Sequence, residues 1–150
     1  MLERGDSKSD KNNQLLIILG NQLFPISEIK KTNTKIIFMA EDYSLCTEYK
    51  FHKLKILMFF CSMRAYRDEL IKSGFQVYYH SIEDPDFKTP FEKKLTNAIS
   101  LEKITKINYF EIEDHSFEKK INDFKPISSI EWVQFSNPMF IYSREKFNSF

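Results

Sequence analysis

The stretch Gln14-Leu15-Leu16-Ile17-Ile18-Leu19-Gly20-Asn21-Gln22-Leu23 constrains this chain more than any other, because an unbroken aliphatic run stops abruptly at a glycine and two amides. A run with no polar alternation fits a central strand covered on both faces, where neither side-chain direction meets water. Gly20 then ends the strand, and a turn follows it. In open α/β sheets ligands collect just beyond the carboxyl ends of the strands, so Gly20, Asn21 and Gln22 stand where a site is expected.

The rest of the chain repeats the pattern. Lys35 to Glu41 is a second apolar run that ends in a carboxylate, bringing Glu41 and Asp42 toward the Gly20 edge. Between the two runs, Pro25 and Ser27 permit a short helical turn. From Glu48 to Ser73 neither glycine nor proline interrupts the sequence, and Leu54, Leu57, Met58, Cys61 and Ala65 recur at three- and four-residue spacing, which predicts one long helix stopped by Gly74. Its middle, Ile56 to Cys61, is apolar on every side. Part of the outward face, with Phe59 and Phe60 in it, is therefore expected to meet another domain or subunit.

Phe75 to Ile82 reads as a third strand, and Thr89-Pro90-Phe91-Glu92 as a helix start with threonine as cap. Phe91, Leu95, Ala98 and Ile99 then face the sheet. Thr105 to Ile112 is the fourth strand, Phe117, Ile121 and Phe124 mark the next helix, and Ile130 to Phe135 is the fifth strand. Strands alternating with helices predict an α/β fold: a doubly wound, mostly parallel five-stranded sheet with helices on both faces, Rossmann-like, over residues 14–136. Residues 1–13 are polar, lack the apolar core of a signal peptide or membrane span, and are expected to be a disordered tail. Residues 137–150 read as the start of a connector.

Composition limits the chemistry. At 150 residues the chain suits one domain that can bury a core without disulfides or metals. With 22 basic and 21 acidic residues it lacks the global charge of a nucleic-acid or membrane binder. Cys46 and Cys61 form no CxxC and have no neighbouring histidine, which argues against a zinc site, a redox motif or a disulfide framework and fits a reducing, cytoplasmic setting. GxGxxG and GxxxxGK[ST] are both absent, so an ordinary dinucleotide or ATP domain is excluded. His52, His80 and His115 are scattered, and no serine sits in a nucleophile elbow. Basic Lys50-Phe51-His52-Lys53-Leu54-Lys55 opens the long helix, where cations oppose the helix dipole unless an anion or acidic partner compensates. Glu41, Asp42 and Glu48 are candidate internal partners. A ligand or a neighbouring domain is the other candidate.

Taken in order, Ile18-Leu19-Gly20-Asn21-Gln22-Leu23, Glu41-Asp42, Phe51-His52-Lys53-Leu54-Lys55 and Cys61-Ser62-Met63-Arg64-Ala65-Tyr66 resemble the N-terminal domain of the photolyase-related proteins, the bacterial iron–sulfur (6-4) branch of the cryptochrome/photolyase superfamily. The resemblance runs from about Asn13 to Phe150, including Pro138-Met139-Phe140-Ile141-Tyr142-Ser143-Arg144-Glu145. It implies an α/β antenna domain that holds a ribityl-lumazine, 6,7-dimethyl-8-ribityllumazine, with Gly20, Asn21, Gln22 and Glu41 as its contacts. His52, Lys53 and Lys55 are implied at the domain junction or against an anion. The family usually has aspartate at the position of Asn21, and an amide there is neutral and can also donate.

The resemblance also implies a larger helical part, absent from this sequence, with FAD, a cysteine-ligated iron–sulfur cluster and the DNA-binding surface, where light-driven electron transfer splits flipped-out pyrimidine photoproducts. On that reading residues 137–150 lead toward a C-terminal photolyase domain or another subunit, DNA is met only through the missing part, no membrane is involved, and the isolated chain is not catalytic. Two alternatives stand beside it. The reading frame continues past Phe150 as an intact photolyase, or the chain is a non-catalytic interaction module or decayed fragment that retains the fold.

Overall fold

The computed structural model describes residues 13–149, the Leu45 side chain excepted. The expected disordered tail lies outside them save for Asn13. That residue is built into the fold, since its carbonyl accepts the Thr105 amide at 2.9 Å.

In chain order the elements are β1 (Gln14–Ile17), α1 (Ile26–Lys31), β2 (Ile36–Ala40), α2 (Tyr43–Thr47), α3 (Lys53–Lys72), β3 (Gln76–His80), α4 (Phe91–Glu102), β4 (Lys106–Phe110), α5 (His115–Phe124), a 3-10 turn (Lys125–Ile127), β5 (Glu131–Phe135) and α6 (Arg144–Asn148). The five strands form one sheet in the order β3-β2-β1-β4-β5. Every pairing is parallel, and Leu15 of β1 stands between Ile36 of β2 and Ile107 of β4. The chain moves outward through β1, β2 and β3, then crosses back to β4 and β5. The strand order therefore reverses between β1 and β4, which is the topological switch point of a doubly wound sheet.

The unbroken aliphatic character of β1 follows from this position. Alternate side chains feed two separate cores. Leu15, Ile17, Phe38 and Ile107 pack with Phe91, Leu95, Phe117 and Ile121 of α4 and α5. Leu16, Ile37 and Met39 pack on the other face with Ile29, Met63, Tyr66 and Leu70 of α1 and α3. Leu15, Leu16, Ile37 and Phe38 are wholly buried. Among the described residues no helix is long and apolar enough to cross a membrane.

The long helix differs from its sequence reading in where it starts and which face it buries. It begins at Lys53, where His52 caps it by accepting the Leu54 amide on Nδ1 at 3.2 Å. Tyr43–Thr47 forms a separate short helix with Asp42 as its cap. The inward face is Phe59, Met63, Tyr66 and Leu70, whereas Leu54, Leu57 and Met58 are 61%, 58% and 64% exposed and Cys61 and Ala65 also face outward. Phe59 and Phe60, expected on the outward face, pack against the core instead. A helix apolar all round gives no periodic signal to choose between the two faces.

The far end of α3 matches its reading. Gly74 adopts φ +90°, and the amides of Gly74 and Phe75 bond back to Ile71 and Leu70 at 3.0 and 3.1 Å, a Schellman cap. Helix α4 is entered through Pro90, with no side-chain cap from Thr89.

Candidate functional site

Three turns meet at the carboxyl edge of the sheet: those leaving β1, β2 and β4. The β1 turn is closed by the Gln22 amide donating to the Leu19 carbonyl at 2.9 Å. Gly20 is required by close approach, since an added Cβ would stand 2.8 Å from both Met63 Sδ and Phe59 Cε1 of α3. Gly20→Ala is expected to destabilise the fold by about 1–2 kcal/mol as these side chains are pushed aside. Urea unfolding at neutral pH measures it. An unchanged midpoint would show that the helix yields freely.

Between these turns and α3 lies a cavity of about 190 Å³. Leu19, Gly20 and Asn21 reach it from β1, Ala40 and Asp42 from β2, and Asp114 and Phe117 from the turn after β4. Tyr49, Phe51, Phe59 and Phe60 give it aromatic walls, with Cys46 and Lys55 as further lining groups. Predominantly aromatic walls with a few placed polar groups suit a planar organic ligand.

Its two carboxylates are held by helix starts. Asp42 accepts the Ser44 amide and the Ser44 hydroxyl, both at 2.9 Å, and Asp114 accepts the Phe117 amide at 2.8 Å. Burial, with Asp42 and Glu41 nearby, pushes the Cys46 thiol above its ordinary pKa, so it lines the cavity as a neutral group. Lys55 Nζ lies 4.2 Å over the centre of the Phe51 ring, a cation–π contact.

The residues singled out from sequence divide. Gly20, Asn21 and Lys55 line the cavity. Gln22 does not. It is buried, and its Nε2 donates to the Glu111 carbonyl at 2.9 Å, joining the β1 and β4 turns across the switch point. Asn137 donates to the same carbonyl at 3.5 Å and to the Glu113 carboxylate. Arg144, from the segment read as a connector, pairs with Glu111 at 2.8 Å and Glu118 at 2.7 Å and donates to the Ile112 carbonyl. That segment is thus anchored on the β4 turn.

Glu41 also stands apart from the cavity lining. Its fully buried carboxylate accepts Arg64 Nε and Nη2 at 2.7 and 3.1 Å, the Tyr79 hydroxyl at 2.7 Å and the Ile82 amide at 2.7 Å. Burial alone would raise its pKa, but the hydrogen bonds from Arg64, Tyr79 and Ile82 outweigh it and hold the carboxyl below its ordinary value. The Tyr79 hydroxyl is pushed up by burial and by Glu41, which keeps it a donor. Glu41 therefore ties β2, α3 and the turn after β3 together.

His52 and Lys53 are exposed at the start of α3. Of the three proposed internal partners for the basic cluster, Glu41 serves Arg64, Asp42 serves Ser44, and Glu48 accepts from Ser116 at 2.7 Å. Sequence alone does not single out Asp114, Cys46 and Tyr49 as site residues. The readable signal for Asp114 was its place as a capping aspartate directly after a strand, the same place Asp42 holds after β2.

A family model described as deoxyribodipyrimidine photo-lyase-related protein matches residues 16–150. Among curated proteins, a (6-4) photolyase of Agrobacterium fabrum is 34% identical over an alignment of 89 residues that covers 57% of this chain and 18% of that protein. The chain thus spans less than a fifth of that relative's length.

Proposed function

The chain belongs to the deoxyribodipyrimidine photo-lyase-related protein family, and from that premise we propose that it is the antenna domain of a light-dependent DNA-repair flavoenzyme, with a ribityl-lumazine held in the cavity at the β1, β2 and β4 ends. The observation that carries this reading is the cavity itself: aromatic walls from Tyr49, Phe51, Phe59 and Phe60, with polar groups from Asn21, Asp42 and Asp114, at the switch-point edge. A flat heterocycle stacks on such walls, and a ribityl chain offers hydroxyl donors to carboxylates that can only accept. When bound, the chromophore collects light and passes the excitation to a flavin.

This chain's own residues bind and orient the ring and keep water from it. Glu41 supports the site through Arg64, and Asp42 and Asp114 take the role of acidic neighbours first expected of Glu41. The sequence holds two cysteines, Cys46 and Cys61, too few for a four-cysteine iron–sulfur cluster. That cluster, the FAD and DNA contact are assigned on this reading to a larger C-terminal part, and the isolated chain has no repair activity.

The test is to purify the protein from a host that makes ribityl-lumazine and record its absorbance. A visible band that co-elutes with the protein, and a released compound with the mass of the lumazine, are expected. A colourless protein that also fails to take up added lumazine would overturn the reading.

A second reading, as an interaction module, draws support from the exposed apolar groups Leu54, Leu57 and Met58 on α3 and Met139, Phe140, Ile141 and Phe147 in the final segment. Apolar exposure on this scale suits a protein partner. Under the antenna reading that partner is the C-terminal photolyase domain or another subunit.

A further inference from the structure

The charged groups that line the cavity are unequal in sign, with Asp42 and Asp114 set against Lys55. Lys55 is engaged over the Phe51 ring, and Lys120 Nζ donates at 3.1 Å to the Ser44 hydroxyl, which itself donates to Asp42. Helix starts often serve as phosphate sites because their amides are unpaired and the helix dipole favours an anion. Here the Ser44 amide of α2 and the Phe117 amide of α5 are taken by the chain's own Asp42 and Asp114. Each start thus presents a carboxylate where a phosphate site would present a donor.

We infer that the cavity discriminates against phosphate: it takes the unphosphorylated ribityl heterocycle and rejects the same molecule carrying a 5′-phosphate, with Asp42 and Asp114 as the discriminating residues. This rests on the reading above that the cavity holds a ribityl chromophore. The chemistry is direct. A ribityl hydroxyl or a ring N–H donates to a carboxylate, and each carboxylate has lone pairs beyond those used for capping. A phosphate brings oxygens that accept, and a negative charge that meets two of its own sign in a partly desolvated site. The sequence also lacks the glycine-rich loops GxGxxG and GxxxxGK[ST] that cradle phosphates elsewhere.

The experiment compares binding of 6,7-dimethyl-8-ribityllumazine and its chemically prepared 5′-phosphate to the full chain, read by ligand fluorescence. The unphosphorylated form is expected to bind at least about tenfold more tightly at low salt, with the ratio shrinking as salt screens the repulsion. Asp114→Asn and Asp42→Asn keep a capping side chain, so both are expected to fold and to narrow the ratio by about threefold or more, through tighter binding of the phosphate together with weaker binding of the ribityl form, whose hydroxyls lose a charged acceptor. Equal affinities in the wild-type chain, or a ratio that neither variant moves, would overturn the inference while leaving the chromophore reading intact. If neither compound binds, the chromophore reading itself falls, and this inference with it.

Discussion

Replacing Arg64 with alanine is expected to destabilise the fold by about 2–4 kcal/mol at neutral pH. The cost arises at Glu41 rather than at Arg64. Glu41 has no exposed side-chain surface, so without the guanidinium its charge is left with only the Tyr79 hydroxyl and the Ile82 amide. Arg64 is itself one-third exposed and also pairs with Glu83 at 3.1 Å, which keeps the expected loss below the upper end for a fully buried pair.

The pH dependence identifies the cause. Because the folded-state pKa of Glu41 is lowered, its ionisation stabilises the native state above the unfolded carboxyl value of about 4.3. That contribution disappears as pH falls through the lower folded value. The gap between wild type and Arg64→Ala should therefore narrow in acid, where Glu41 is protonated in both. Urea unfolding across this range checks it, and a gap that stays constant with pH would assign the loss to packing.

The second large effect concerns binding. Cys46 lines the cavity and is partly buried, so Cys46→Trp places an indole where the chromophore ring is proposed to lie. Lumazine affinity is expected to fall by about a hundredfold or more, while stability changes by about 1 kcal/mol or less, because the added bulk enters open space. Cys46→Phe should give a smaller loss in the same direction. Titration of both variants beside an unfolding curve separates blocked binding from a damaged fold. Undiminished affinity in a folded Cys46→Trp protein would move the ligand elsewhere.

The scaffold was legible where both faces of an element carry the same demand. The aliphatic run of β1 reads as a doubly covered strand because both of its faces are buried, and Gly74 reads as a helix stop because its φ is positive. Legibility failed where two faces compete. On α3, Leu54, Leu57 and Met58 follow helical spacing as well as Phe59, Met63, Tyr66 and Leu70, and tertiary packing, with Phe59 and Met63 against Gly20 and Tyr66 and Leu70 in the core, decides which set turns inward.

The site divided on the same principle. Glu41 and Asp42 are neighbours just past β2, and backbone direction at the strand end sends one carboxylate to Arg64 and the next to the cavity. Sequence spacing could bring the pair to the right edge without ranking them. Gln22 shows the same limit: it lies at the expected edge, yet its amide closes the switch point from within. Asp114 needed the strand order, since nothing in sequence alone shows that the turn after β4 lies beside the one after β1.

The cavity between α3 and the strand ends is proposed above as a chromophore site. Its most direct test is an equilibrium titration of the purified chain with 6,7-dimethyl-8-ribityllumazine, followed by the ligand's own fluorescence. Saturable one-to-one binding, with a Kd of about 10 μM or tighter and loss of binding in Cys46→Trp, is the predicted result. A folded wild-type protein that shows no saturable binding at about a hundred times that concentration would contradict it.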